Sequence, residues 1–275
     1  MRGAGLTVRD VLYEAPGAGT RKKIAVATAA SLLLLALLLG LVIRQFAIAG
    51  QLDRKYWFFF ARGTTWSFLG KGLLGTVEVA VVSGILAFAA GFFLMVGRIS
   101  QSRISRALCT GIIEFTRGVP TLLFVYFFFL VAPQLGIRLH AFWKITLPVS
   151  ISACGVVAEV LRSGVNAVPK GQREAALSLG MREGSVFLKI IFPQAFRVVI
   201  PALLSELVIV LKDTTFAYVI NFPDLMQNAS VLISNYDAML SVYLLIAVIY
   251  CIINYLLNKA AEAVAVRGKE KGGAK

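Results

Sequence analysis

Between Lys23 and Arg44 stand twenty uncharged residues, IAVATAASLLLLALLLGLVI, from Ile24 to Ile43. A helix needs about twenty such residues to cross a hydrocarbon core of roughly 30 Å. In lipid, every backbone polar group must find its partner within the segment, so a run of this kind can only be a helix. It is too long for a secretory signal. Five further blocks of comparable length follow, over 68–96, 109–132, 142–164, 196–220 and 238–257. Hydrophobic residues make up 58% of the chain and charged ones 15%, and their segregation into blocks separates it from soluble globular domains. The expected fold is all-α, a polytopic membrane protein with about six transmembrane helices, the first at 24–43.

The basic residues predict the orientation. Of the 28 Lys and Arg, nineteen fall on the cytosolic side if the amino terminus is inside, among them Arg2, Arg9, Arg21, Lys22, Lys23 and the six from Arg162 to Arg197. Seven fall outside, including Arg54, Lys55 and Arg138. The excess predicts both termini in the cytosol. Residues 1–23 then form a cytosolic segment, 44–67 an external loop and 263–275 a basic cytosolic tail. The net charge of +14 is dispersed over loops rather than gathered on one face, which argues against nucleic acid as a partner. Cys109, Cys154 and Cys251 fall singly in apolar spans, so no disulfide framework or metal site is expected and they read as core filler. His140, in a predicted outer loop without an acidic or cysteine partner, reads as a surface imidazole.

The predicted cytosolic loop from Arg162 to Arg197 is longer than most connections between packed helices. Gln172 through Leu179 is rich in helix formers, with Pro169 and Gly171 before it and Gly180 just past its end as a left-handed cap. A second short helix, from about Arg182 to Ile191, is expected to stop before Pro193. Ala175, Ala176 and Leu179 put small and apolar surface on one side of the first helix, a knob suited to a socket in another protein.

The order Glu174, Ala175, Ala176, then Gly180, then Ile190 and Pro193, resembles the cytosolic signature of permease subunits in ATP-binding-cassette (ABC) importers, with Phe192 where that family often has leucine. The phrases AEVLRSGVNAVPKGQREAA, EFTRGVPTLLFVYFF and LLSELVIVLKDTTFAYVI are similar to those of the polar amino-acid uptake branch, the histidine, glutamine and glutamate type, over roughly Lys71 to Ala261. VLYEAPG and the extra first helix look most like actinobacterial-type glutamate permeases. The resemblance implies a five-helix type I importer core over 68–262, preceded by one extra helix, in a bacterial cytoplasmic membrane. It implies a coupling loop over 165–195, in which Gly171, Gln172, Glu174, Ala175, Ala176, Gly180, Ile190 and Pro193 meet the ATPase. It also implies the partners: a cytosolic ATPase dimer that binds ATP and Mg, a second permease that is a paralogue rather than an identical copy, and an extracytoplasmic amino-acid-binding protein. This chain would be no enzyme and would hold no cofactor, and it carries no G-x-x-x-x-G-K-[ST] phosphate loop. The implied substrate is a polar amino acid, glutamate first and glutamine or aspartate next, with basic amino acids as the alternative.

Charged residues inside spans are the candidates for the substrate path, because an ionised group in lipid is costly unless paired or hydrated. Glu114 with Arg117, and Glu159 with Arg162, are each three residues apart and share a helix face. They read either as neutralised pairs near the cytosolic boundary or as a gate. Glu78 and Glu206 lack a partner at helical spacing. Lys212, Asp213 and Thr214 sit at the expected outer part of the fifth span, where lysine can also act as an interfacial anchor. The aromatic runs Trp57–Phe60 and Tyr126–Phe129 read as interfacial or lipid-facing. A secondary transporter would show internal repeats and interrupted spans, and a membrane enzyme a cluster of nucleophiles, acids or ligands at one depth. The sequence displays neither pattern.

Overall fold

A computed structural model of the chain describes residues 18–272, and the side chains within 19–263. Arg2, Arg9, VLYEAPG and Lys275 therefore lie outside the described residues. The chain divides into two units at Trp57 and Phe58. The first holds helix α1, Ala18–Ile48, whose 31 residues extend the expected span at both ends, and a short 3-10 turn at Arg54–Tyr56. Such a helix, with apolar residues on all sides of its central part, has no polar face to turn to water.

The second unit is a bundle of helices, and among the described residues no strand occurs. Its long members are α2 (Gly63–Arg98), α5 (Ala141–Ala167), α8 (Phe192–Asp213) and α10 (Met239–Gly272). Helix α5 is central: 61% of its span is buried, against 33% for α2. Val79, Ala87, Met95, Val149, Val157 and Leu161 form the core with it. Without a hydrophobic driving force between helices in lipid, close approach depends on small residues. Gly155 of α5 shows this, since a Cβ there would strike the Thr116 hydroxyl and come within 3.0 Å of the Ile113 carbonyl. Gly155→Leu is thus expected to destabilise the bundle by about 1–3 kcal/mol or more. The readout is a lower melting temperature of the solubilised protein, with Gly111→Leu, where nothing lies within 4 Å, unchanged.

The third block departs from a single span over 109–132. It forms helix α3, Arg103–Gly118, and a second piece, α4, Thr121–Tyr126, continued by a π turn to Val131. The two are bent by 96°, so the described residues hold five helices long and apolar enough to span, or six if this bent pair counts as one. The cause is local. Pro120 excludes the helical conformation from the residue before it, and Val119 is extended at φ −91°, ψ 126°. The interrupted span that the sequence did not display is therefore present.

The expected break before Pro193 does not occur. After α6 (Lys170–Ser178), helix α7 (Glu183–Val186) passes through a π turn at Phe187–Ile191 directly into α8. Phe192 stays helical and its N–H bonds back to the Phe187 carbonyl, five residues earlier, so the widened turn absorbs the donor that Pro193 lacks. Helix α8 ends in a 3-10 segment, Thr214–Ile220, making one rod of 38 residues from Glu183.

An additional helix, α9 (Leu225–Tyr236), follows where a plain connection was expected. It is fastened to the amino-terminal part of α2 by Asn228 Nδ2 to the Phe68 carbonyl at 2.7 Å and by the Leu225 N–H to Thr76 Oγ1 at 3.0 Å. Asp224 caps it by accepting from the Gln227 N–H at 2.7 Å, and burial pushes that carboxyl up to about 6 although its backbone hydrogen bonds pull it down. Tyr236 stacks on Phe59 at 4.3 Å, and Phe59 is wholly buried, so that part of the aromatic run is core rather than interfacial. Cys251 is exposed, not core filler.

Candidate functional site

At the carboxy-terminal end of α2 three helices bring five charges together. Glu159 of α5 accepts from Arg162 through Nε at 3.0 Å and Nη2 at 2.8 Å, the pairing its spacing suggests. Its other oxygen is held by Arg98 of α2. Arg98 also reaches Glu114 at 3.8 Å, and Glu114 lies 4.0 Å from Arg117. The Arg98 and Glu159 side chains are each 19% exposed and that of Glu114 is 60% exposed. The strength of the chain therefore resides in Arg98–Glu159–Arg162, with Glu114–Arg117 a solvated extension. The two i,i+3 pairs are legible in the sequence, whereas Arg98 lies just past the expected span of 68–96 and meets Glu159 only when the helices pack.

A second cluster forms where the third block breaks. Thr121, the first residue of α4, donates from Oγ1 to Asp213 Oδ2 at 2.7 Å, and the same hydroxyl lies 2.8 Å from Ser152 Oγ of α5. Three helices thus meet through one hydroxyl at the start of a helix. Asp213 was a candidate from sequence; Thr121 and Ser152 were not. The available signal was a threonine directly after a proline inside an apolar block. Lys212, next to Asp213, is exposed. Thr214 is wholly buried and donates to the Leu211 carbonyl at 2.7 Å, so it closes its own helix. Glu206, 7% exposed, is the one acid in the lining of an otherwise apolar cavity of about 310 Å³, beside Val81, Phe88 and Leu207. Glu78 is exposed on α2 and opens onto a different pocket. The nine candidate residues fall into separate groups rather than one site.

The 170–191 segment is ordered by its turn. Gly180 takes φ +76°, the left-handed region that favours glycine. Its N–H bonds to the Leu177 carbonyl at 2.9 Å and that of Met181 to the Ala176 carbonyl at 3.3 Å, the paired bonds of a Schellman cap. Ala176 is turned inward, packing with Val186 and Ile191, so it is no part of an exposed knob. The face shown to solvent carries Gly171, Glu174, Ala175 and Leu179, the last 83% exposed. Arg173 pairs with Glu183 at 2.5 Å across the turn. Gln194 Nε2 donates to the Ile190 carbonyl at 3.0 Å and reaches Gln172 Oε1 at 3.5 Å. Pro193 is exposed at the start of α8.

Residues 85–267 match the model of the family described as binding-protein-dependent transport system inner membrane component. The chain is 38% identical to the glutamate transport system permease protein GluD of Corynebacterium glutamicum, over 78% of this chain and 80% of that one. It is 33% identical to the probable glutamine ABC transporter permease protein GlnP of Bacillus subtilis, over 73% of this chain and 94% of that one. Among solved structures it is similar to an amino acid ABC transporter crystallised with histidines, at a TM-score of 0.71 and 28% identity, covering 76% of this chain and 98% of that one.

Proposed function

The chain belongs to the family of binding-protein-dependent transport system inner membrane components, and from that premise we propose that it is the translocation subunit of an ATP-driven importer for a polar amino acid. It works beside a second, paralogous permease in the cytoplasmic membrane of a bacterium, with both termini in the cytosol. ATP and Mg are held by a cytosolic ATPase dimer, and an extracytoplasmic binding protein delivers the substrate. Glutamate ranks first, then glutamine and aspartate, a ranking supported by the 38% identity to a glutamate permease.

The observation that carries this reading is the continuous rod from Glu183 through Asp213. One end adjoins the Gly180 turn that would sit in the ATPase; the other, about 45 Å away at 1.5 Å per residue, holds the carboxylate bonded to Thr121. A tilt imposed on α6 and α7 by ATPase closure is transmitted along the rod as rigid-body motion and shifts Asp213 against Thr121 and Ser152. Asp213 supplies an acceptor for a substrate ammonium, and Ser152 the one hydroxyl proton of the cluster not committed to Asp213.

Asp213→Asn keeps the shape and removes the charge. It is expected to lower uptake of labelled glutamate about tenfold or more, the effect of one charge-assisted hydrogen bond, at unchanged membrane level. Uptake equal to wild type would remove Asp213 from the path. Basic amino acids are the second reading, favoured by the similarity to a transporter crystallised with histidines. In vesicles with the whole system, competition by arginine and none by glutamate would put it first.

A further inference from the structure

Between α2, the first turn of α5 and the Phe222–Pro223 turn lies a pocket of about 660 Å³. It shares no lining residue with the Glu206 cavity or with the Thr121–Ser152–Asp213 cluster. Lys71 and Glu78 line it, seven residues apart and so on one face of α2, about 10 Å apart along the axis. Both are exposed, and among the described residues neither has an ion-pair partner. His140 closes one side. Its Nδ1 accepts from the Phe142 N–H at 3.3 Å, which in the neutral ring leaves the proton, and a donor, on Nε2. Trp143 and Phe222 provide apolar walls. Asn228 spends its Nδ2 on the Phe68 carbonyl and retains Oδ1 as an acceptor.

An unpaired ammonium and an unpaired carboxylate facing one concave space, with a ring donor and aromatic walls between, complement a small molecule that carries both charges close together. We propose that this pocket is a second amino-acid site, with Lys71 taking the α-carboxylate, Glu78 the ammonium, and His140 facing the polar side chain. In the orientation given above it opens on the extracytoplasmic side, where substrate released by the binding protein is held before it reaches Asp213. A protein segment docking here would need only one sign of charge at its tip; the zwitterion uses both. The volume exceeds that of an amino acid, so ordered water completes the contacts.

The choice of ligand rests on the permease reading, and the experiment separates the two. Labelled L-glutamate and L-glutamine are bound to the purified full complex in lipid nanodiscs without the binding protein, in the Asp213→Asn background so that the deeper cluster contributes little. Lys71→Ala and Glu78→Ala are each expected to weaken the remaining binding about tenfold or more. Lys71→Arg should retain it, and the swapped pair Lys71→Glu with Glu78→Lys should recover part of it, because the zwitterion can turn round. Both residues are exposed, so folding is not at stake, and matching melting temperatures verify this. Binding unchanged in both alanine variants overturns the proposal while leaving the permease reading intact, provided wild-type vesicles with the whole system take up either amino acid. Absence of both binding and uptake in the wild type, across glutamate, glutamine, aspartate and arginine, sinks the permease reading and the pocket with it.

Discussion

Gly180→Val is expected to leave the protein inserted and folded while lowering substrate-stimulated ATP hydrolysis and uptake together, by about tenfold or more. At φ +76° a β-branched residue is strained, at roughly 1–2 kcal/mol. No heavy atom lies within 4 Å of the added Cβ, so the penalty is purely one of backbone conformation. The chain relieves it by opening the turn, which breaks the Met181-to-Ala176 and Gly180-to-Leu177 bonds and frees α6 from the rod that begins at Glu183. In the proposed mechanism, push from the ATPase then no longer reaches Asp213. Glu174→Lys tests the same surface without touching the turn: it reverses the charge on the exposed face and leaves the buried Ala176 contact in place. It should reduce ATPase co-purification as well as uptake, if a basic group of the partner meets that carboxylate. Membrane level, co-purified ATPase and uptake are measured on the same preparations. Normal uptake in both variants would reduce the 170–191 segment to a connector.

Arg98→Leu should cause a large loss of stability. It strips one of two cations from Glu159, whose side chain is only 19% exposed, and leaves Arg162 alone to balance it. Breaking a buried pair by removing one partner costs about 3–5 kcal/mol. The remaining bidentate contact from Arg162, at 2.8 and 3.0 Å, puts the expected value at or below the lower bound of that range. Arg98→Leu combined with Glu159→Leu should be more stable than the single variant, since the acid is removed with its cation and the Arg162 left behind is 36% exposed and can turn to water. Glu114→Gln, at a site 60% exposed, should change the melting temperature little. Thermal unfolding in detergent distinguishes these outcomes. A single Arg98 variant as stable as the wild type would mean that Glu159 is served by Arg162 alone.

The features legible in the sequence are those written into short stretches of chain. The run from Ile24 to Ile43 suffices for a helix because lipid leaves no other way to satisfy its backbone. Glu159 and Arg162 meet because three residues bring side chains onto one helix face. A glycine after the helix formers of 172–179 takes the left-handed turn because there is no Cβ to forbid it. The misreadings have the opposite character. Pro120 and Pro193 carry the same local chemistry, yet one accompanies a 96° bend and the other rides inside a continuous rod. The difference lies in the hydrogen-bond register before each: a π turn precedes Pro193, whereas Val119 ahead of Pro120 is already extended. Arg98 with Glu159, 61 residues apart, and Thr121 with Asp213, 92 apart, leave no periodic trace, because nothing in either neighbourhood depends on the other until the helices pack. The sequence by itself determined the material of the protein, helices made for lipid with a charged turn between two of them. Only the tertiary structure decided which charges share a site, since that depends on how α2, α5 and α8 approach through small residues such as Gly155.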